Sequence, residues 1–343
     1  MKKLIGILMV VVILLPACGN RTTSVADEPL TVIFETDLGN DIDDALALDL
    51  LYKYQDAGKI RLLAVNLNKN GEAPAEFADI LNTWYGYPDI PIGIIRDGAE
   101  CETDAAVNYA KAVVDLKNAD GKPLFARSHP DYAGYPEAVT LYRKLLAAEP
   151  DTSVVIASVG FSTNLIRLLS TAADEYSPLT GAELVAKKVK LLVTMAGDFS
   201  GSGHCEYNVI KDIPAAKVIF EKWPTPLVTS PFELGIQVKY PATSIENDFS
   251  WAPQHPVVEA YKAYLPMPYD RPTWDPTAVL YAVEGGEWFT VSPAGRIEVT
   301  DEGSTLFTED PAGNRRYLAV TPEQAGAILQ HFVETITSIP RNR

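Results

Sequence analysis

Five acidic residues lie within ten positions near the start of the chain: Glu35, Asp37, Asp41, Asp43 and Asp44. Carboxylates this close together repel one another and raise each other's pKa unless a positive charge lies among them. Calcium, which takes about six to eight oxygen ligands, suits such a cluster. The simpler interpretation is a set of acids that only meets the dipole of a helix N-terminus. Because five acids stand together with a glycine that permits a tight turn, we predict a calcium site.

The surrounding pattern places these acids at one edge of a sheet. An apolar, β-branched run over 31–36 predicts a buried strand, and apolar residues at helical spacing over 42–54 predict the helix that follows. The alternation recurs, with strands predicted at 60–65, 90–95, 154–159, 189–195 and 226–229 and helices at 73–85, 162–169 and 213–222. This pattern predicts an α/β fold of Rossmann-like type, a mostly parallel sheet with helices on both faces. Ligands bind such sheets at the carboxyl ends of the strands, where the acids lie.

The C-terminal part of the chain has a different pattern. Short β runs separated by turns that contain proline and glycine occupy 286–320, and a capping-box start precedes a helix over 321–338. Because about 35 residues bury little core of their own, we predict an antiparallel β appendage to a single domain that spans 30–343.

The first residues have the pattern of an export signal. Residues 1–17 combine two lysines with an apolar run too short for a confident membrane span, and Leu15-Pro16-Ala17-Cys18 resembles a bacterial lipobox. We predict a lipoprotein signal peptide over 1–17, lipidation of Cys18, and a flexible tether over 18–29. The chain is then exported and anchored to a bacterial membrane, facing the periplasm or the cell surface. The alternative is plain secretion with Cys18 as an ordinary thiol.

The charge balance excludes one class of partner. The sequence has 45 acidic and 29 basic residues and a formal net charge of -16, which becomes -18 when residues 1–17 and their two lysines are removed. Nucleic-acid binding needs a basic face, so we predict no nucleic-acid partner. The sequence leaves open a disulfide between Cys101 and Cys205, and it leaves open the oligomeric state, a homo-oligomer included.

Four segments, in order along the chain, resemble the nucleoside hydrolases of the inosine/uridine-preferring type. The segments are Glu35 to Ala45, Ala157 to Leu165, Glu206-Tyr207-Asn208 and Trp274-Asp275-Pro276. The first resembles the family's Asp-x-Asp-Pro-Gly-x-Asp-Asp-Ala, with Glu35 for the first aspartate, Leu38 for the proline, and two extra residues in the loop. The longer loop leaves open whether Asp41 or Asp43 faces the substrate, with Asp43 the better match. The resemblance extends over the mature chain to about Val283.

The resemblance implies a calcium-dependent enzyme that hydrolyses the N-glycosidic bond of a nucleoside, or of a related N-ribosyl compound, to free base and ribose. The calcium ligands that it implies are Asp37, Asp44, Asp275 and the main-chain carbonyl of Val159. Asp37 is then also the general base for the attacking water, which suits a transition state with positive charge on the ribose. The residues implied to bind ribose hydroxyls are Asp43, Glu206 and Asn208, with Asn68 and Asn70 as further candidates.

The leaving base is a separate question. Trp274 stands where members of the family carry a histidine, and an indole donates a hydrogen bond but does not titrate. Either the leaving base is activated by another residue, or it is held by stacking alone; Trp274 is a candidate to bind the substrate in both cases. His204, two residues before Glu206, is the histidine best placed in the sequence to act as an acid.

Two other functions stay open at this point. A lipoprotein that binds a nucleoside or a pentose, and keeps the calcium pocket without turnover, is compatible with Glu35, the longer loop and Trp274. A phosphotransferase signature at Glu35-Thr36-Asp37 is a poor match, because its nucleophilic position holds a glutamate.

Overall fold

The computed structural model of the chain describes residues 28–39, 41–99 and 108–342. The predictions for the signal peptide, for Cys18 and for a disulfide at Cys101 lie outside these residues. No helix in the described part of the chain is long and apolar enough to cross a membrane.

Most strands of the described residues belong to one twisted sheet. The strands are β1 (Leu30–Thr36), β2 (Ile60–Leu67), β3 (Ile92–Gly93), β4 (Val154–Ser158), β5 (Val189–Met195), β6 (Leu227–Ser230), β7 (Lys239–Tyr240), β8 (Arg271–Pro272), β9 (Thr290–Val291), β10 (Gly295–Val299), β11 (Thr305–Glu309) and β12 (Arg315–Ala319). The sheet order is β11-β10-β12-β6-β5-β4-β1-β2-β3, with β9 on β12, while β7 and β8 pair separately. Strands β1 to β6 are parallel to their neighbours.

Helices follow most of these strands. They are α1 (Asp43–Asp56), α2 (Glu72–Trp84), α3 (Tyr109–Val114), α4 (Ala138–Ala148), α5 (Thr163–Leu169), α6 (Gly181–Lys188), α7 (Tyr207–Lys211), α8 (Ile213–Lys222), α9 (Phe232–Gly235), α10 (Ala242–Asn247), α11 (Pro256–Tyr264), α12 (Trp274–Glu284) and α13 (Pro322–Ile336), with 3₁₀ turns at Tyr132–Gly134 and Gly286–Trp288. The predicted capping box of the last helix is present, because Thr321 and Gln324 bond reciprocally to each other's backbone N–H groups.

The sheet is buried on both faces, as its parallel topology requires. Successive residues of β1 alternate between two apolar clusters: Val32 and Phe34 pack in one, and Ile33 packs in the other. Each such side chain stabilises the fold by about 1.5–3 kcal/mol relative to leaving it exposed. The α/β prediction, with helices on both faces, is therefore confirmed.

The C-terminal β segment differs in one respect from its prediction. As expected, β10 pairs antiparallel with β11, and β12 pairs antiparallel with β9 and β10. However, β12 also pairs parallel with β6 and so continues the main sheet. The guanidinium of Arg315 explains the attachment. It donates to the carbonyls of Phe220 at 2.6 Å and Trp223 at 2.8 Å, at the end of α8, and thereby fixes β12 beside β6.

The strand register brings the site segments together. Glu35 pairs with Asn66 on one side and with Ser158 on the other, and Ser158 pairs with Thr194. The loops that leave β1, β2, β4 and β5 therefore emerge at the same edge. Helix α12 packs against α1, β4 and β5, which places its first turn at that edge too.

Candidate functional site

A cavity of about 340 Å³ opens at the carboxyl edge of the sheet. Its walls consist of acids, aromatic rings and a few smaller groups, contributed by segments far apart in the chain. The lining residues are Asp37, Asp41, Asp43, Asp44, Val159, Met195, Glu206, Tyr207, Asn208, Phe232, Tyr264, Trp274 and Asp275. The four segments singled out from the sequence thus meet in one cavity.

The turn between β1 and α1 has a geometry that requires glycine. Gly39 has a φ of +118°, and a Cβ at this position would lie 3.4 Å from the Cβ of Ala110. The turn is held by two hydrogen bonds: Leu38 N–H donates to Thr36 Oγ1 at 3.1 Å, and Gly39 N–H donates to the Tyr109 hydroxyl at 3.0 Å. The acids on either side of the turn are thereby pointed into the same cavity.

Three carboxylates form the tightest group in the cavity. Oxygen atoms of Asp43, Asp44 and Asp275 all lie within 4.8 Å of one another, and all three side chains are buried. Burial, followed by repulsion from neighbouring carboxylates, raises the pKa of each well above its usual value. Buried carboxylate oxygens at this spacing fit a hard divalent cation.

Internal contacts orient two of these acids. The Asp43 Oδ2 accepts from the backbone N–H of Asp275 at 3.0 Å, which joins the start of α1 to the start of α12. The hydroxyl of Thr36 donates to Asp44 Oδ1. Asp43 therefore belongs to the group of carboxylates that could bind a metal ion, whereas the sequence analysis predicted that it binds a ribose hydroxyl.

Asp37 lies beside this group but is not one of its three members. It lines the same cavity and is buried, and its charge contributes to raising the pKa of Asp44, Asp275 and Glu206. Asp37 is thus placed where it could touch both a cation and a water molecule beside it.

Glu206 and Asn208 are held rigidly at the start of α7. Glu206 Oε1 accepts from the Asn208 backbone N–H at 2.8 Å, and its Oε2 accepts from Gly197 and Val209. Burial raises the pKa of Glu206 to about 7, although these hydrogen bonds oppose the rise. The Asn208 amide donates to the carbonyls of Val159 at 3.0 Å and Met195 at 3.1 Å. Its Oδ1 is consequently the amide atom that can accept from a hydroxyl.

The extra residues of the loop after β1 have a clear structural role. Asp41 forms a two-point ion pair with Arg271, whose Nε donates to Asp41 Oδ1 at 2.9 Å. The same guanidinium lies 5.2 Å from the Tyr264 ring centre and 5.1 Å from that of Trp274. The carboxylate of Asp41 is paired with Arg271. Of the two aspartates Asp41 and Asp43, it is therefore Asp43 whose carboxylate lies in the tight group.

Aromatic rings form part of the cavity wall. Trp274 stacks on Phe232 with ring centres 5.6 Å apart at 21°, and its indole N–H donates to the Phe232 carbonyl at 2.9 Å. Tyr207 and Tyr264 complete the wall. Because the indole N–H already has an acceptor, Trp274 contributes its ring surface to the cavity.

Three predicted residues do not line the cavity. His204 packs against Phe232, with ring centres 4.2 Å apart, and its Nδ1 is 3.3 Å from Asp198 Oδ2. Asn68 is buried and donates to Glu35 Oε1 at 3.3 Å. Asn70 is exposed, and its Oδ1 accepts from the Gly98 N–H at 3.3 Å.

Glu35 does not line the cavity; its side chain packs in the buried core. It is fully buried, with the Tyr142 hydroxyl donating to its Oε2 at 2.5 Å. Burial raises the pKa of Glu35 to about 7, against the lowering effect of Tyr142 and Asn68. Glu35, which stands where the family motif has an aspartate, therefore packs between β1 and α4.

This buried acid predicts a pH-dependent stability. The folded protein holds a proton on Glu35 up to about pH 7, while the unfolded chain loses it near 4.5. Between pH 4.5 and about pH 7, the folded state therefore binds more protons than the unfolded state. The contribution of Glu35 to the free energy of unfolding falls as the pH rises through this range. In Glu35→Gln we expect the free energy of unfolding to fall less steeply with pH than in wild type, by up to about 1.4 kcal/mol per pH unit. Urea unfolding in a chelator at pH 5, 6 and 7, with Glu246→Gln as an exposed control, measures it; parallel slopes for wild type and Glu35→Gln would contradict the assignment.

Comparison with known families decides the identity of the fold. A family model described as inosine-uridine preferring nucleoside hydrolase matches residues 32–327. The chain belongs to this family. Membership indicates an N-ribosyl hydrolase, and the buried aspartate triad suits a metal-dependent family. No curated protein sequence is similar enough to the chain to count as a match.

Solved structures of nucleoside hydrolases share the fold. A purine-preferring ribonucleoside hydrolase from Gardnerella vaginalis is 17% identical with a TM-score of 0.69, covering 90% of this chain and 98% of its own. A nucleoside hydrolase from Bacillus anthracis is 17% identical with a TM-score of 0.64, covering 89% and 99%. The type III effector XopQ, complexed with adenosine diphosphate ribose, is 20% identical with a TM-score of 0.63, covering 91% and 95%.

Several residues that line the cavity or pair with its lining escaped the sequence reasoning. Phe232 follows β6 at the carboxyl edge, and that position alone could have singled it out. Arg271 stands three residues before Trp274, but its partner Asp41 is 230 positions away. Tyr264 and Met195 carry no signal in the sequence that separates them from core residues.

Proposed function

We propose that this nucleoside hydrolase family member cleaves the N-glycosidic bond of ribonucleosides, or of a related N-ribosyl compound, to free base and ribose, with calcium as its metal. One observation carries the proposal: a buried group of three aspartates shares a cavity with Asp37, with the acid and amide of α7, and with an aromatic wall. Acids suit a metal and ribose hydroxyls, and rings suit a heterocyclic base.

The predicted metal ligands remain Asp37, Asp44, Asp275 and the carbonyl of Val159. Three of these offer carboxylates from the cavity wall, and the Val159 carbonyl, which accepts from Asn208, keeps a second lone pair. Asp43 is a further candidate ligand, because its oxygen lies within the tight group. When bound, calcium supplies positive charge that orients a water molecule and lowers its pKa.

Asp37 is the proposed general base. Water attacks C1′ of the ribose while the C–N bond breaks, and Asp37 takes the water's proton as positive charge develops on the sugar. Carboxylates around the ribose favour the oxocarbenium-like transition state over the neutral substrate.

The ribose is proposed to bind against Asp43, Glu206 and Asn208. Glu206 and Asn208 are fixed by backbone contacts before substrate arrives, so little side-chain entropy is lost on binding. Oε2 of Glu206 already accepts from two backbone N–H groups, whereas Oε1 accepts from one and keeps a lone pair that can accept a hydrogen bond from a ribose hydroxyl. Asn68 and Asn70 were predicted to bind the ribose too. Neither of them lines the cavity, so that role stays a prediction.

The base is proposed to stack on Trp274 and Phe232, and His204 stays the predicted acid. His204 packs against Phe232 beside Asp198 and does not line the cavity, so a proton from it is proposed to reach the base through a water molecule. We expect His204→Gln to lower kcat for inosine by about 10²-fold. It should leave p-nitrophenyl riboside nearly unaffected, because that leaving group departs without a proton. Equal losses on both substrates, or none on inosine, would remove His204 from the mechanism.

Product analysis tests the proposed function. Purified protein is incubated with inosine, guanosine, uridine and cytidine in calcium, in chelator, and in chelator with calcium restored. Free base and ribose that appear with calcium and vanish with chelator support the proposal. Saturable nucleoside binding without release of base would instead favour the binding lipoprotein, for which Trp274 with its engaged N–H is the observation in favour.

Cys18 is proposed to carry a lipid anchor that holds the exported chain on a bacterial membrane. The lipobox-like tetrad Leu15-Pro16-Ala17-Cys18 after an apolar run supports this. Metabolic labelling with a clickable fatty acid tests it, with Cys18→Ala as the variant expected to lose the label and Cys205→Ala as the matched control.

A further inference from the structure

The C-terminal β appendage packs on the loop that connects β5 to α7. Phe199 of this loop stacks on Tyr317 of β12 with ring centres 4.8 Å apart, and Cys205 Sγ lies 3.3 Å from Ser304 Oγ, in the turn between β10 and β11. None of residues 286–320, all of which the structure describes, lines the cavity. The loop that they contact nevertheless ends at Glu206, an acid of the cavity wall.

Thr305, the first residue of β11, holds one residue of this loop by two hydrogen bonds. Its hydroxyl accepts from the Asp198 backbone N–H at 2.9 Å and donates to the Asp198 carbonyl at 2.9 Å. Both residues are buried. One side chain of the appendage thus satisfies both main-chain groups of Asp198. A valine in its place would fill a similar volume and satisfy neither group.

Thr305 also packs directly on Gly197, the residue before Asp198. Gly197 has a φ of +84°, and a Cβ at this position would lie 2.9 Å from Thr305 Oγ1 and 3.1 Å from its Cγ2. The backbone conformation and the close approach of β11 both require a glycine here. The contact fixes the position of Gly197 relative to the appendage.

Gly197 joins two walls of the cavity. Its N–H donates to Glu206 Oε2 at 3.1 Å, and its carbonyl accepts from the Phe232 N–H at 2.8 Å. Glu206 is the acid proposed to bind the ribose, and Phe232 belongs to the aromatic wall. A displacement of Gly197 therefore changes a hydrogen bond of each, because hydrogen bonds weaken steeply as their geometry departs from the optimum.

We propose that Thr305 is a positioning residue for the hydrolysis: it fixes Gly197 and Asp198, and through Gly197 it holds Glu206 in the orientation that binds the ribose. The inference rests on the proposed function. It does not involve the three aspartates that could bind a metal ion, which belong to α1 and α12. A change at Thr305 should therefore weaken the binding of the nucleoside more than it slows the chemical step.

Substitutions at Thr305 test this role in the full chain. Thr305→Val removes the hydroxyl, and Thr305→Ser keeps it. We expect Thr305→Val to raise KM for inosine by about tenfold, the effect of roughly one lost hydrogen bond, with a smaller change in kcat. Thr305→Ser should stay close to wild type. Thr308→Val is the matched control, because Thr308 lies in the same strand and is exposed, and it should change neither constant.

A double-mutant cycle with Glu206→Gln separates positioning from a general loss of structure. If Thr305 acts through Glu206, Thr305→Val raises KM much less in the Glu206→Gln background than in wild type. Additive effects, an unchanged KM in Thr305→Val, or an equal defect in Thr305→Ser would each overturn the inference. Should Thr305→Val fail to fold, Thr305→Ala, which leaves room for a water molecule beside Asp198, takes its place in the same cycle.

Failure of the proposed function has a separate signature, because wild type itself would then release no base. The dissociation constant for inosine, measured by calorimetry on the same variants, would in that case replace KM in every comparison. Base release by wild type together with equal KM in wild type and Thr305→Val would overturn the inference alone. Wild type that neither hydrolyses nor binds inosine would remove the inference together with the proposed function.

Discussion

Asp37→Asn is expected to lower kcat for nucleoside hydrolysis by about 10²–10⁴-fold, the usual contribution of a positioned general base. The amide keeps the size of the side chain but cannot take a proton from water. Stability in a chelator should be equal or slightly higher, because one carboxylate leaves a group whose members repel each other. Steady-state kinetics and thermal unfolding of the same preparation measure both quantities.

Asp41→Asn is the matched control for this experiment. Asp41 belongs to the same loop and lines the same cavity, but its carboxylate is bound to Arg271. Its loss should affect KM more than kcat. A rate for Asp37→Asn within tenfold of wild type would exclude Asp37 as the base, and a larger loss in Asp41→Asn would move that role to Asp41.

The course of the main chain could be predicted because its signals are local. The buried strand of β1 and the helical spacing of α1 specify their own elements, and the elements alternate in a way that only a parallel sheet satisfies. The pairing of β12 with β6 could not be predicted, since a short β run between turns does not specify its partner. That choice depends on Arg315 reaching the carbonyls at the end of α8.

The site could be predicted in part for the same reason. Asp44 and Asp275 end up together because both begin helices at the carboxyl edge, a position that the pattern and the motif both indicate. The partner of Asp41 could not be predicted, because Arg271 is remote in sequence and arginines are usually on the surface. The packing of His204 against Phe232 joins the loop after β5 to the start of α9, and spacing along the chain does not report such a contact.

Asp275→Ala is expected to remove most of the stabilisation that calcium gives. A ligand that binds only the folded state stabilises it by about 2.7 kcal/mol at a concentration of 100 Kd. Asp275 is one of the three buried acids within 4.8 Å, so its loss removes an oxygen donor from the centre of the group. Wild type should therefore show a rise in Tm on adding calcium that the variant largely lacks, with magnesium at equal concentration as the control cation.

Asp43→Asn separates the two ligand sets that the structure allows. If calcium is held by Asp37, Asp44 and Asp275, this variant keeps the calcium-dependent rise in Tm and loses mainly affinity for the nucleoside. If Asp43 is itself a ligand, as its place in the tight group permits, the rise in Tm shrinks as it does for Asp275→Ala. A full calcium response in Asp275→Ala would contradict direct ligation by Asp275 under either set. The contribution of Asp275 to the site would then be its backbone N–H, which donates to Asp43 Oδ2 at 3.0 Å and which alanine keeps.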